Sequence, residues 1–530
     1  ILSRLATLVA ADETFTSSMQ ALELARILIG TIRPSEVSGE FAELFDTSRA
    51  TFLLTLPSGP GVPVEGDVLA MASVYADRMP EPDVEDVLAE SLMEGVPAAG
   101  EIVELSGHPD TDVWTAVLDN GVIVHHRRMS QRENFVDVRI TLLGGTIEED
   151  GRNRGVTMAA AQAFSRPATS TLTGKQIRQL MAGTKIQAGG AAQDDFVQLN
   201  LTGSPEDLET GFQLAHRLLT DPRLETVPFE QWRTSMVQSM KAARQDPLRS
   251  LQMVMGETIY PADAVQARPV TIEQLEMVNM GAAQRWLDRL IAEAPMEVAI
   301  VGDVDRERAF ELARTYIGSL AERPRMSADL LNGFATIPAP SEDRAAEIEI
   351  ETQTPAAGVI AGFFASDAAD LRDTRLLQIA SRTLSSRLIE KVREQERLVY
   401  SIQAQVVPAE AFEGYGLMLA GSATDPANAD TLADRVSEIF AEFAGGGPTD
   451  EELETAKAQI AKTLGEAFEE PSFWALQMSQ LEKRGRSLDD LVTALDEYRS
   501  FTADDVRENF AKYHARPKVR VIVKPATPAP

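Results

Sequence analysis

Thr502-Ala-Asp-Asp-Val-Arg-Glu-Asn-Phe-Ala-Lys-Tyr513, running on to Val519-Arg-Val-Ile-Val523 and Pro525, is the stretch that decides how this chain is built. It reads as a capped amphipathic helix delivering the chain into a short apolar strand. The same unit stands near the other end, in Pro34-Ser-Glu-Val-Ser-Gly-Glu-Phe-Ala-Glu-Leu-Phe45 followed by Thr51-Phe-Leu-Leu-Thr55 and Pro57. Val37 and Phe41 repeat the spacing of Val506 and Phe510. A third version opens at Thr271-Ile-Glu-Gln-Leu275, passes Trp286 and Leu290, and ends in Met296-Glu-Val-Ala-Ile-Val301. Three copies imply three related domains that end alike. The first copy closes so early that Ile1 is expected to be an internal position of a longer protein.

Working outward, Pro57-Ser-Gly-Pro-Gly-Val-Pro63 breaks the pattern, and an acidic stretch interrupted by Gly and Pro follows to about Pro109. Residues 58–110 are therefore expected to be a linker or hinge with one or two short helices. In 111–330, Trp114–Leu118, Asp119-Asn-Gly121 and Val122–Val124 read as strand, tight turn and strand. Phe135–Leu143 alternates with period two, a helix is expected near 153–165, and Ser204-Pro-Glu-Asp207 caps another. A strand at 298–303 and a helix at 305–319 complete the unit. In 340–526 the pattern predicts strands near 346–351, 357–364, 399–407 and 414–421. Helices are expected at 369–395, 427–444 and 450–468 before the closing pair. The two-residue turn and the loose alternation favour an α+β fold over a doubly wound parallel sheet.

With 44% hydrophobic and 25% charged residues, the composition is that of an ordinary globular chain. Its formal charge of −31 repels phosphate backbones and anionic lipid surfaces, so neither nucleic acid nor membrane insertion is expected. The chain has no cysteine, which excludes disulfides, thiol nucleophiles and Cys-bound zinc. Zinc peptidase motifs place two His one helical turn apart with a Glu beside them. Of His108, His125, His126, His216 and His514, only His125 and His126 are close, and adjacent strand residues point to opposite faces. They read as a polar strand end leading into Arg127-Arg128. Gly189-Gly190 reads as a bulge or turn, or as a place where backbone is open to a peptide strand.

The most informative chemistry lies in Leu384-Ser-Ser-Arg-Leu-Ile-Glu-Lys-Val-Arg-Glu-Gln-Glu-Arg-Leu-Val-Tyr-Ser-Ile402. Leu384, Leu388, Ile389 and Val392 form a helical apolar stripe. Arg393 can be read simply as one of several helix-end cations, and Tyr400 as a half-buried residue beginning the next strand.

This stretch resembles the hallmark of the non-catalytic, carboxyl-terminal half of the insulinase/pitrilysin zinc metallopeptidases, L-R-E-x-x-G-L-x-Y-S. Arg393 and Tyr400 have the family's spacing of seven. The resemblance implies that these two side chains bind substrate carbonyls near the scissile bond, for which guanidinium and phenol are suitable donors. Arg397 stands where the family has Gly, a departure expected to cost roughly 1 kcal/mol if the backbone is left-handed there. Asp119–Val124, Leu142–Glu149, Leu208–Pro222, Val298–Asp303 and Glu451–Lys457 also resemble family segments in order and spacing.

At the family's inverted zinc motif, Met158, Ala161 and Gln162 occupy the places of first His, Glu and second His, and Ser239 that of the third ligand. The resemblance thus implies a degenerate, metal-free domain at 111–330 and a carboxyl-terminal peptidase-like domain with the Arg/Tyr pair at 340–526. Each is expected to be a mixed, mainly antiparallel sheet with helices packed on one side. Residues 1–57 would end a preceding domain. Zinc would belong only to an upstream half, or to a catalytic partner subunit, with unfolded peptide as substrate. A second reading makes the chain an inactive binding or assembly subunit. A third, a free-standing metal enzyme, would require zinc on this chain. The compartment expected from large relatives is the periplasm.

Overall fold

The protein was analysed as a computed structural model that describes residues 16–44, 50–56, 59, 61–76, 89–331, 333–334 and 337–526. The chain forms two compact units, Ile1–Asp86 and Val87–Pro530. The first contains helices Ser18–Ile29, Pro34–Leu44 and Glu65–Ala76. Ser17 and Gln20 close a capping box on the first of these. The strand expected at 51–55 is not formed. A strand needs a neighbour to take its main-chain groups, and no other strand lies among the described residues of this unit.

The second unit holds two sheets. Strands β1 (Ile102–His108), β2 (Val113–Leu118), β3 (Ile123–Arg128), β4 (Val136–Leu143), β5 (Ile186–Ala192), β6 (Phe196–Gly203) and β7 (Met296–Gly302) make the first. Their spatial order is β1-β2-β3-β7-β4-β6-β5. Strands β8 (Arg344–Ile350), β9 (Ala357–Phe364), β10 (Gln403–Val407), β11 (Leu417–Thr424) and β12 (Lys518–Pro525) make the second, in the order β10-β11-β9-β12-β8. Only β3–β7 and β12–β8 run parallel. The fold is the mixed, mainly antiparallel α+β arrangement expected.

Local signals did their part. Gly121 takes φ 88°, and a Cβ there would sit 2.2 Å from the Arg323 carbonyl, so the β2–β3 turn requires glycine. Thr271, Thr449 and Thr502 each close a capping box at the head of a helix. Ser204 accepts from the Glu206 N–H at a 3-10 turn that leads into helix Leu208–Thr220.

Two expectations need correction. Part of the expected linker, Ile102–His108, is the edge strand β1, paired antiparallel to β2. The expected single helix at 153–165 is two short ones, Val156–Ala160 and Gln162–Ser165. The one-sided layers expected hold for each sheet's own helices, and a second cover is added to them. Each sheet carries its own helices on one face and a helix lent by the other half on the second. Pro471–Met478 packs on β4 and β7, where Trp474, Ala475 and Met478 meet Val113, Met129, Ala299 and Val301. Pro247–Ile259 packs on β8, β9 and β12, where Leu251 and Ile259 meet Ile360, Val521 and Val523. The run of β7, buried at every position and apolar or glycine except for Glu297, reflects this double cover.

Candidate functional site

Helix Leu371–Leu388 continues as a wider π turn, Ile389–Gln395. Leu384, Leu388 and Val392 are fully buried in the core beneath the second sheet and fix this helix end. Arg393, the next residue, is exposed. Past it, Leu398 N–H donates to the Val392 carbonyl at 3.0 Å, and Glu396 N–H to that of Lys391 at 3.0 Å. Arg397 closes the turn in left-handed conformation, φ 56°, even though Arg stands where the family pattern has Gly.

Tyr400 does not begin a strand. β10 starts at Gln403, because hydroxyls on β11 hold the preceding loop instead. Thr424 Oγ1 donates to the Leu398 carbonyl at 2.6 Å, and Ser422 Oγ to that of Ser401. Val399 and Ile402 turn inward, which leaves the Tyr400 ring 91% exposed between them. Nearby cations are paired, Lys391 with Glu442 at 2.6 Å and Arg435 with Glu396 at 2.8 Å. Among the described residues, Arg393 and Tyr400 meet no such partner. Two donors are thus presented to solvent by one rigid helix end and its loop. Arg397→Gly should stabilise the protein by about 1 kcal/mol by removing the left-handed strain, measured as the shift in urea midpoint. No gain would mean that the turn carries no strain.

The positions corresponding to the zinc motif do not suit an ion. Met158 packs with Met236 and Met240 against the cluster of Val156, Phe229 and Trp232. Ala161 is buried in the neighbouring core. The Gln162 amide turns back toward the Met158 carbonyl at 3.4 Å, and Ser239 is exposed on helix Thr226–Ala243. A thioether, a methyl, an amide and a hydroxyl offer no anionic or imidazole donor to a divalent cation. Among the described residues, no group of three His, Asp or Glu side chains is placed to hold a metal. Glu149, at the end of the family-like strand segment, is a structural carboxylate. It pairs with Arg154 at 2.7 Å and accepts the Gly155 and Thr157 N–H groups at 2.8 Å each.

The edge of the first sheet opposite β1 is β5, and Gly189 there has open space where a side chain would be. Gly190 is different: a Cβ would lie 2.6 Å from that of Phe164, and its N–H donates to Ser165 Oγ at 3.1 Å. His125 and His126 do face opposite ways, but both are buried rather than at a polar strand end. His125 Nε2 meets Glu297 at 3.0 Å and its Nδ1 meets Thr115 at 2.8 Å. His126 Nε2 donates to the Val304 carbonyl at 3.0 Å, and burial lowers its pKa.

Sequence reading missed the polar latch between the halves. Asp195 Oδ2 lies 2.9 Å from both Lys483 Nζ and Arg484 Nη1. Glu297 Oε1 also accepts the Glu482 N–H at 2.8 Å. In the sequence, Lys483-Arg484-Gly485-Arg486 looks like a solvated turn, and nothing local marks it as buried.

A family model described as the peptidase M16 inactive domain matches residues 279–460. An uncharacterized zinc protease of Mycobacterium leprae is 24% identical over 365 residues, covering 66% of this chain and 79% of that one. A Mycobacterium tuberculosis counterpart is 23% identical over 351 residues, covering 63% and 76%. Among solved structures, a peptidase M16 inactive domain from Pseudomonas fluorescens superposes with TM-score 0.68 at 18% identity, covering 78% of this chain and 99% of that one. The periplasmic protease PqqL from Escherichia coli gives 0.70 at 16% identity, and this chain spans 58% of its length. The fold, two mixed sheets with helices, is that of a peptidase-like scaffold. Residues 279–460 are similar to the peptidase M16 inactive domain, and the fold of the chain is similar to that of M16 peptidase-like structures.

Proposed function

We propose that this chain is the non-catalytic half of a zinc metallopeptidase, forming one wall of a chamber and orienting unfolded peptide for hydrolysis by a zinc-bearing half. The observation that carries the reading is the pair Arg393 and Tyr400, held on a rigid turn and left without partners while their charged neighbours are paired. A guanidinium and a phenol so placed would donate to a substrate carbonyl and to the charge that grows on it. Domains 111–330 and 340–526 would make the wall, with 1–57 closing a preceding domain and 58–110 leading across. Exposed apolar residues on the first unit, such as Ile27, Ile29 and Leu44, support a missing neighbour there. Peptide would add as a strand to a sheet edge, where main-chain hydrogen bonds accept many sequences. No helix among the described residues is long and apolar enough to cross a membrane, and the likeness to PqqL supports a periplasmic setting.

The test uses the full-length protein with its zinc-bearing half and an unfolded peptide substrate. Arg393→Ala and Tyr400→Phe should each lower kcat/KM about a hundredfold, as loss of a transition-state donor does. Unchanged turnover in both variants removes the assigned role. A full-length protein that holds no zinc and cleaves nothing would instead favour the assembly-subunit reading.

A further inference from the structure

A cavity of about 1020 Å³ opens beside the segment that joins the two halves. Ala368, Ala369, Ala409 and Gly414 give it small walls, and four cations reach it: Lys483, Arg484, Arg486 and Arg516. Two of these are already neutralised, Lys483 by Asp195 and Arg484 by Asp195 and Glu410. The other two form no ion pair among the described residues. Among the described residues, Arg486 hydrogen-bonds only the Ala368 carbonyl, at 3.4 Å, and Arg516 only that of Ala365, at 2.8 Å. Both carbonyls lie in the short connection from β9 to helix Leu371–Leu388, so the two guanidinia flank one stretch of backbone.

A guanidinium has five N–H donors in a fork that matches the paired oxygens of carboxylate or phosphate. Each arginine here spends one donor on a carbonyl. Both are also partly desolvated. The carboxylates that act on them, Glu410 and Asp490 on Arg486 and Asp367 on Arg516, form no ion pair with them among the described residues, so a bound anion in contact would relieve part of the cost. The carboxylates on the wall compete weakly. Asp367 is held by the Gly414 N–H at 2.7 Å, and burial shifts it toward its neutral form. Glu413 is the other unpaired acid on the lining. The chain's charge of −31 repels anions in general, so any anion site on it must be local and built.

We propose that this cavity binds a small organic molecule carrying two anionic oxygen groups, a di- or tricarboxylate or a phosphate ester, through Arg486 and Arg516. The volume suits a metabolite-sized ligand. The site is separate from Arg393 and Tyr400 and does not depend on the peptide reading.

Calorimetric titration of the 530-residue chain with citrate and, separately, inorganic phosphate at constant ionic strength tests it. Saturable binding of one or both is expected, with the preferred probe telling carboxylate from phosphate ligands. Arg486→Gln and Arg516→Gln should each weaken it about tenfold or more. Ala369→Glu, at an exposed wall position, should do the same while leaving both arginines in place and the core untouched. Absence of saturable binding at millimolar concentrations, or affinities unchanged across the three variants, overturns the proposal.

Discussion

Asp195→Asn is expected to destabilise the Val87–Pro530 unit by about 3–5 kcal/mol, because it leaves buried cations without their counter-charge. The carboxylate is 2% exposed, with fully buried Lys483 and nearly buried Arg484 each 2.9 Å from one of its oxygens. Burial pushes the Lys483 ammonium down to about 8, against the pull of Asp195, so the folded protein holds that proton less firmly than an unfolded one. Amide replacement keeps the shape and removes the charge. Arg484 retains its ion pair with Glu410, but Lys483 is left with the face of Phe196, 4.3 Å away, and only the more distant pull of Glu410. Adding Lys483→Met to Asp195→Asn should recover much of the loss, since replacing both members of a buried pair is often close to neutral. Urea unfolding of the single and double variants measures both steps. A loss below about 1 kcal/mol in the single variant would mean that water, rather than Asp195, compensates Lys483.

Trp474→Ala should cost a similar amount, about 3–5 kcal/mol, because it removes the centre of the lent helix. Trp474 is 4% exposed and packs in the cluster that covers β7, with Phe468 and Phe473 rings at 5.7 and 6.0 Å. Its indole N–H donates to the Phe468 carbonyl at 3.0 Å, and the Arg127 guanidinium stacks 3.8 Å over its ring. Truncation therefore opens a cavity, orphans a carbonyl and uncovers a cation whose Nη1 already lacks a partner. Hydrogen exchange should accelerate in β7 along with the drop in unfolding free energy. Leu476→Ala, at a position 42% exposed on the same helix, should stay within about 0.5 kcal/mol. If the two variants behave alike, the helix is not tied to the sheet as its contacts imply.

Both effects arise where the two halves meet, and that is where sequence reading was weakest. Capping at Thr271, Thr449 and Thr502 was visible because cap and helix lie within four residues of each other. At Arg397 the sequence left the turn open, because Arg stands where the family pattern has Gly, and the structure keeps the left-handed conformation all the same. By contrast, Tyr400 was expected to open a strand because Val399 and Ile402 look like strand residues. The hydroxyls of Ser422 and Thr424, more than twenty positions away, took the carbonyls that strand pairing would have used. The strand β1 was hidden for a similar reason. Its sequence is polar on exposed positions, and only β2 beside it makes it a strand.

Taken alone, the sequence determined the α+β plan, the helix–strand closures that end in β7 and β12, and the spacing of Arg393 and Tyr400. Each of these depends on residue identity or on neighbours within a few turns. Tertiary structure alone decided which helix covers which sheet, that Asp195 would hold Lys483 and Arg484, and that Arg486 and Arg516 would share a cavity wall. Those outcomes depend on desolvation and on contacts between residues hundreds of positions apart, and no local pattern records how much water a side chain will lose.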